Sequence, residues 1–242
     1  MAKGIYTALS GALAAETSLD VTAQNLANTS TAGYQRQRAL FREVLGTTTA
    51  PRGTANPNRF VGAGATVIDL TAGVIRQTGN KLDAALPEGT FLSVRTPTGD
   101  RFTRAGSLST SPDGALQAAG FPVLDSDGEP IVVDPSGPPP EIAKDGAILA
   151  GGARVAQLGL TRFESPERLA PEGRGLYAPT PASGIGMTAD GDLTVGAIED
   201  SNASPTLAMT EMIGTTRTFE AFQRAIQAFR DADQKVAGIV GG

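Results

Sequence analysis

The chain has 242 residues, of which 40% are hydrophobic but only 5% aromatic, and its 30 Gly and 16 Pro indicate many turns around an aliphatic core. A formal net charge of −5 argues against nucleic-acid binding, which requires a clustered basic excess. The absence of Cys and His from the sequence excludes thiolate and imidazole catalysis, common zinc sites and disulfide bonds.

The first predicted element is a helix from about Lys3 to Asn28. Its apolar positions alternate at spacings of four and three, which is typical of a coiled-coil seam. The helix should end near Asn28, because Thr29 to Gly33 supplies β-branched residues and a glycine, which accepts a positive φ angle. The predicted seam consists of Ile5, Leu9, Ala12, Glu16, Leu19, Ala23 and Leu26.

The same segment imitates a secretory signal, since Lys3 precedes an apolar stretch that ends in small residues at 12–14. The helical pattern continues through the apparent cleavage site, so we expect no cleaved signal peptide. No uncharged apolar run reaches the roughly 18 residues of a membrane-spanning helix, so we expect no membrane insertion.

The middle of the chain changes from helical periodicity to an alternating, turn-rich pattern. Residues 35–80 predict an extended connector, because 46–64 is rich in Thr, Pro, Asn and Gly without a clear period. Residues 81–202 predict a mostly antiparallel β domain, whose Asp-Gly dipeptides favour tight turns. The predicted strands are 91–95, 121–124, 129–133 and 155–160, and the dipeptides stand at 113–114, 127–128, 145–146 and 190–191.

The last predicted element is a second helix, capped by Ser204 and Pro205. Its seam could pack on the chain's own first helix as an intramolecular hairpin, or on helices of neighbouring subunits. The fold class is therefore α+β, with coiled-coil-like terminal helices (1–34 with 203–242) enclosing the β domain. The second seam consists of Ala208, Met212, Thr215, Phe219, Phe222, Ile226, Phe229, Asp233, Val236 and Val240.

Candidate ligand sites in the sequence are weak. Residues 62–67 lack the third glycine and the following helix of a dinucleotide site, and 125–128 aligns poorly with a calcium loop. We therefore predict no catalytic residue, cofactor or metal. Two rival interpretations stay open: a monomeric secreted binding module, and a hydrolase with paired carboxylates.

Four blocks of sequence resemble the flagellar basal-body rod and hook family. The first, Asn25-Leu26-Ala27-Asn28 followed by Thr31-Ala32-Gly33-Tyr34, resembles the family's opening pattern. Leu82-Asp83-Ala84-Ala85, Phe102-Thr103-Arg104-Ala105-Gly106 and Gly196-Ala197-Ile198-Glu199-Asp200-Ser201-Asn202 resemble three later motifs in the same order. The short length and residues 88–92 resemble the proximal rod members most, with distal rod or hook-type members as the alternative.

The resemblance implies a non-enzymatic rod subunit, exported uncleaved through the flagellar type III apparatus into the periplasmic part of the basal body. It implies as partners other flagellar rod proteins, both proximal and distal rod subunits, and like subunits. Apolar seam residues would bury area between subunits, while Asn25, Asn28 and Gly33 would set the turn after the first helix. The predicted subunit-interface residues are Leu9, Leu19, Leu26, Asn25, Asn28, Gly33, Met212, Phe219, Phe222, Ile226 and Phe229.

Overall fold

A computed structural model describes residues 2–46 and 58–240. This part of the chain is α+β, with two helices and many short antiparallel strands, as predicted. The chain divides into two compact units. Unit 1 comprises residues 1–27, 37–66 and 205–242, and unit 2 comprises residues 28–36 and 67–204.

Unit 1 contains both helices and one β-hairpin. Helix α1 (Ala2–Ala27) lies within one residue of its predicted bounds, and α2 (Pro205–Val240) begins at the predicted proline. The two helices pack together. Neither helix is apolar over a long enough stretch to cross a membrane, within the residues that the structure describes.

The hairpin consists of β1 (Gln37–Gly46) and β2 (Asn58–Ile68), which the sequence analysis did not predict. These strands lie within the segment predicted as a connector, and β1 packs along α1. Residues 47–57 of the predicted loop, and the glycines that follow α2, lie outside the described residues.

Unit 2 is built from strands of two to seven residues. A six-stranded sheet has the order β14-β15-β6-β5-β13-β16, two sheets of three strands are β7-β8-β9 and β10-β11-β12, and two pairs are β3-β18 and β4-β17. A short 3-10 helix spans Pro166–Arg168. The strands are β3 (Ile75–Gln77), β4 (Ala84–Ala85), β5 (Thr90–Thr96), β6 (Gly99–Thr103), β7 (Leu108–Thr110), β8 (Leu116–Ala118), β9 (Phe121–Pro122), β10 (Pro140–Ile142), β11 (Ala147–Ala150), β12 (Ala153–Gln157), β13 (Leu160–Arg162), β14 (Ala170–Gly173), β15 (Leu176–Ala178), β16 (Met187–Thr188), β17 (Thr194–Val195) and β18 (Ala197–Glu199).

The predicted strands were partly confirmed. The first coincides with β5, and the second begins with β9. The predicted strand 129–133 forms only isolated bridges, through Pro130 and Val132. The strand predicted at 155–160 is divided between β12 and β13, because the chain changes sheets at 158–159. Gly114, Gly128 and Gly146 have the positive φ expected after Asp, whereas Gly191 does not.

Aliphatic side chains of unit 2 fill its main core, in which Val94, Leu116, Val123 and Ile148 are fully buried. A second cluster is aromatic. Phe91 packs edge-to-face on Tyr177, with 5.8 Å between ring centroids. Alternation along β5 directs Phe91 to the aromatic cluster and its neighbour Leu92 to the aliphatic one, since successive strand residues point to opposite faces.

Candidate functional site

Two phenylalanine rings of α2 lie against glycines of α1. A Cβ atom added to Gly11 would lie 2.4 Å from the ring of Phe222, and one added to Gly4 would lie 2.7 Å from the ring of Phe229. Because higher numbers on α1 meet lower numbers on α2, the helices are antiparallel. The rings occupy the space of a side chain at both glycines, so this close packing requires residues without a Cβ.

The face of α1 that packs on α2 is shifted by one residue from the predicted seam. Buried Ala8 and Ala15 continue the four-three spacing of the two glycines. Of the predicted seam, Leu9 is 44% exposed and Glu16 and Ala23 are also exposed, whereas Ala12 is buried and Ile5 is half-buried. The prediction chose the larger apolar residues, but small residues are needed where aromatic rings approach a helix closely. The described positions of the predicted α2 seam are all buried or half-buried: Ala208, Met212, Thr215, Phe219, Phe222, Ile226, Phe229 and Asp233.

An apolar stripe remains exposed on the opposite side of α1. Tyr6, Leu9 and Leu13 are 60%, 44% and 54% exposed, and their spacing of three and four residues places them on one face. Leu9 and Leu13 stand about half a turn away from Gly11 at 3.6 residues per turn. Of the other predicted α1 interface residues, Leu19 and Leu26 are half-buried.

Asn25, near the end of α1, holds the first residue of β1. Its amide nitrogen donates to the carbonyl oxygen of Gln37 at 2.8 Å, and its amide oxygen accepts the Gln37 N–H at 2.8 Å. Both residues are buried. The side chain thus pairs with the backbone as a neighbouring strand would, and β1 begins against the end of α1.

The turn after α1 is formed by the other two residues that the sequence singled out. The Asn28 side-chain oxygen accepts a hydrogen bond from the Thr31 hydroxyl at 3.1 Å. Gly33 has a φ angle of 69°, and an added Cβ would lie 2.2 Å from the carbonyl oxygen of Arg104. Its N–H donates to the Glu199 carbonyl at 2.7 Å. Glycine is therefore required both by conformation and by space.

A buried ion pair lies in unit 2. The side chains of Arg104 and Glu199 are 5% and 3% exposed, and the guanidinium donates two hydrogen bonds to one carboxylate oxygen. The remaining guanidinium nitrogen donates to the carbonyls of Thr90 at 2.7 Å and Pro87 at 3.2 Å. The guanidinium also lies 5.9 Å from the centroid of the Phe91 ring. Such complete bonding is what makes a buried charge tolerable.

The second oxygen of Glu199 joins two further segments to this pair. It accepts the side-chain amide of Gln35 at 2.9 Å and the N–H of Gly73 at 3.0 Å. The Gln35 N–H in turn donates to the hydroxyl of Tyr177 at 3.2 Å. Burial raises the pKa of Tyr177 well above its ordinary value, so this hydroxyl stays protonated at neutral pH.

Asn202 forms a second centre of the same polar network. Its side-chain oxygen accepts the Arg36 N–H at 2.6 Å. Its amide nitrogen lies 2.8 Å from the Asp69 carbonyl, 2.7 Å from the Thr71 carbonyl and 3.1 Å from the Gln35 side-chain oxygen. One side chain therefore bonds to two separate segments of the chain.

The periodicity and motif spacing of the sequence do not single out Gln35, Arg104, Glu199 or Asn202 as site residues. Three of them stand inside blocks quoted above for their resemblance, and Gln35 directly follows another block. The available signal was thus the recurrence of charged and amide residues inside those blocks. In the structure, hydrogen bonds between these side chains connect the blocks. The periodicity of the sequence gives no indication of such bonds.

Comparison with known proteins agrees with these blocks. The family described as "Flagella basal body rod protein" matches residues 5–35, and "Flagellar basal body rod FlgEFG protein C-terminal" matches residues 194–239. The flagellar basal-body rod protein FlgF of Caulobacter vibrioides is 31% identical over 91% of both chains, and that of Salmonella typhimurium is 34% identical over 93% of both. The flagellar basal-body rod protein FlgG of Bacillus subtilis is 26% identical over 99% of both.

The first family match contains most of α1 and Gly33, and the second contains Glu199, Asn202 and nearly all of α2. The relatives are structural flagellar proteins, and no catalytic family is indicated. Both FlgF relatives named here exceed 30% identity over more than nine-tenths of the chain. The chain therefore belongs to the flagellar basal-body rod protein family.

Proposed function

We propose that this structural rod subunit assembles through its terminal helices, with copies of itself and with other proximal and distal rod subunits, into the torque-transmitting periplasmic shaft. Among family members we propose that it is a proximal rod subunit, because FlgF-named relatives reach 34% identity and the FlgG relative is 26% identical. Export without a cleaved signal peptide is part of the proposal.

The observation that carries this proposal is the exposed apolar stripe of Tyr6, Leu9 and Leu13. Helix α1 uses its small-residue face for α2 and leaves the three large side chains of the stripe exposed to water. Burying a side chain of this size contributes roughly 1.5 to 3 kcal/mol, so a helix from a neighbouring subunit would gain by covering the stripe.

We propose the predicted interface residues as subunit contacts in two groups. Leu9, Leu19 and Leu26 would meet neighbours directly. Asn25, Asn28 and Gly33 would act by setting the path of the chain after α1. The α2 residues would pack along a coiled-coil-like pair with α1 and would meet neighbouring helices through the exposed parts of their side chains: Met212, Phe219, Phe222, Ile226 and Phe229. The domain division into 1–34 with 203–242, 35–80 and 81–202 also stays a proposal.

Replacing Leu9 by aspartate tests assembly without disturbing the monomer. Because Leu9 is 44% exposed, the free energy of unfolding should fall by only about 1 kcal/mol. An unpaired carboxylate buried between subunits costs several kcal/mol, so incorporation into basal bodies should fall by about tenfold or more. The measurement is the amount of subunit in basal bodies purified from cells that carry only the variant gene, together with motility.

The matched control is Val155→Asp, because Val155 is 45% exposed and lies on β12 of unit 2. This variant should be incorporated normally. Wild-type incorporation and motility with Leu9→Asp would instead show that the stripe is not a subunit contact.

One observation favours the alternative of a monomeric binding module. A groove of about 470 Å³ in unit 1 is lined by Gly11, Ala15, Phe41, Val61 and Phe222, among others, and its volume is within the range of ligand pockets. A binding module would still sediment as a monomer when it is mixed with other rod proteins. Its Leu9→Asp variant would leave motility unchanged. A rod subunit would co-sediment with those neighbours, and the variant would not.

A further inference from the structure

The backbone passes between the two compact units four times. The crossings follow Ala27, Arg36, Thr66 and Ser204, because residues 28–36 and 67–204 form unit 2 and the rest of the chain forms unit 1. Any load that travels along the backbone from one unit to the other passes through these points. The bonds that fix the crossing segments within unit 2 therefore decide how such a load is shared.

Three residues beside the crossings bond to one another within unit 2. Arg36 directly precedes the second crossing, Asp69 stands three residues after the third, and Asn202 stands shortly before the fourth. The Asp69 N–H donates to the Arg36 carbonyl at 2.8 Å, and the Arg36 guanidinium bonds to the Asp69 carboxylate at 3.0 Å. Asn202 bonds to the backbone of both.

The segment that follows the first crossing is tied to the same place. Tyr34 accepts the Asn202 backbone N–H at 3.4 Å, and the Gly33 N–H donates to the Glu199 carbonyl. The side chains of Arg36 and Asp69 are only 22% and 16% exposed, so their ion pair is partly shielded from water and strengthened by its surroundings.

We infer that Arg36, Asp69 and Asn202 form a crossing clamp, which fixes the second, third and fourth backbone crossings relative to one another within unit 2, while Asn202 also holds the segment that follows the first crossing. The inference rests on the proposed load-bearing function and specifies how load enters the β unit. Hydrogen bonds that join neighbouring chain segments distribute a pulling force among these segments. Without such bonds the force would detach one segment at a time. The clamp thus acts as a positioning device for the crossings rather than as a subunit contact.

The chemistry of Asn202 is what the clamp requires. The oxygen of its amide must accept the Arg36 N–H while the nitrogen donates to the Asp69 and Thr71 carbonyls. Aspartate has nearly the same shape but no donor, so Asn202→Asp would place a carboxylate oxygen against two carbonyl oxygens. Arg36→Gln is a milder variant, which removes the ion pair with Asp69 but keeps the backbone bonds.

Hydrogen exchange of the purified full-length protein tests the clamp. In Asn202→Asp the amide protons of Arg36 and Asp69 should exchange about tenfold faster or more, while those of the core strand β5 keep their wild-type rates. Arg36→Gln should show a smaller increase at Asp69. The matched control is Arg76→Gln, which removes an exposed ion pair with Asp200 in the same unit and should change neither clamp amide.

Unchanged exchange at Arg36 and Asp69 in Asn202→Asp would overturn the clamp. An equal acceleration throughout β5 would also overturn it, since Asn202 would then support the unit as a whole. If Asn202→Asp does not fold, Arg36→Gln is used instead. Unchanged exchange at the clamp amides, or an equal acceleration throughout β5, would then overturn the clamp in the same way.

A second measurement examines load. Cells carrying a folded clamp variant should incorporate the subunit at wild-type level but stop swimming at lower medium viscosity than wild-type cells or the Arg76→Gln control. Normal incorporation with wild-type swimming at every viscosity would overturn the clamp and leave the proposed function intact. Absence of the wild-type subunit from purified basal bodies would overturn the proposed function itself.

Discussion

Replacing Phe222 by aspartate should unpack the helices of unit 1 while unit 2 remains folded. The ring of Phe222 fills the space above Gly11, so its loss leaves a void and places a carboxylate against apolar atoms. We expect the helix pair to lose roughly 2 to 3 kcal/mol, less than for a fully buried ring because Phe222 is half-buried. Limited proteolysis should release α1 and α2 fragments, while far-UV circular dichroism retains a strand signal.

The matched control for this variant is Gln223→Asp. Gln223 is the next residue of α2 and is exposed, so the same carboxylate there should remain in water. Its helices should resist protease as wild-type helices do, and its subunit should enter basal bodies normally. Equal protection of the helices in Phe222→Asp would show that the ring contributes little to the helix pair. Normal incorporation of Phe222→Asp into basal bodies would show that rod assembly does not depend on the packing of this ring between the helices.

Glu199→Gln should destabilise unit 2 by about 3 to 5 kcal/mol, since breaking a buried ion pair leaves an uncompensated charge. The remaining charge is that of Arg104, which is 5% exposed. Glutamine keeps the size of the side chain, so the loss would report on charge rather than on packing. Urea unfolding of the full-length protein, followed by the signal of the strands, measures the change.

Glu141→Gln provides the comparison for the buried pair. Glu141 pairs with Lys81 at the surface, where the two side chains are 45% and 68% exposed. Exposed pairs contribute about 0 to 1 kcal/mol, so unit 2 should hardly change in this variant. If the two variants destabilise unit 2 equally, the buried pair of Arg104 and Glu199 has no special role in its stability.

The helices and the α+β class could be predicted because their signals are local. The seam of α2 has large apolar residues every three or four positions, and three of them are phenylalanines. The packing face of α1 could not be found in this way, because it is made of Gly4, Ala8, Gly11 and Ala15. Small residues produce a weak periodic signal, and their importance appears only when the rings that they admit are known.

The polar network could not be predicted from sequence periodicity, for a different reason. Gln35, Arg104 and Glu199 are far apart in the sequence, and each would ordinarily be expected on the surface. Their contact depends on how β3, β6 and β18 are arranged, which is a property of the whole fold. The hairpin of β1 and β2 was missed because its sequence between 46 and 64 is rich in turn-forming residues.

Gly4 and Gly11 are seven residues apart, and so are Phe222 and Phe229. The same kind of packing would therefore be possible in a second register of the helix pair. Sliding α2 by one heptad, about 10 Å along the axis, would still seat one ring over one glycine. Slides of three or four residues would press the ring of Phe222 onto the methyl group of Ala8 or Ala15. A change of register in this pair would therefore occur in steps of one heptad rather than by continuous sliding.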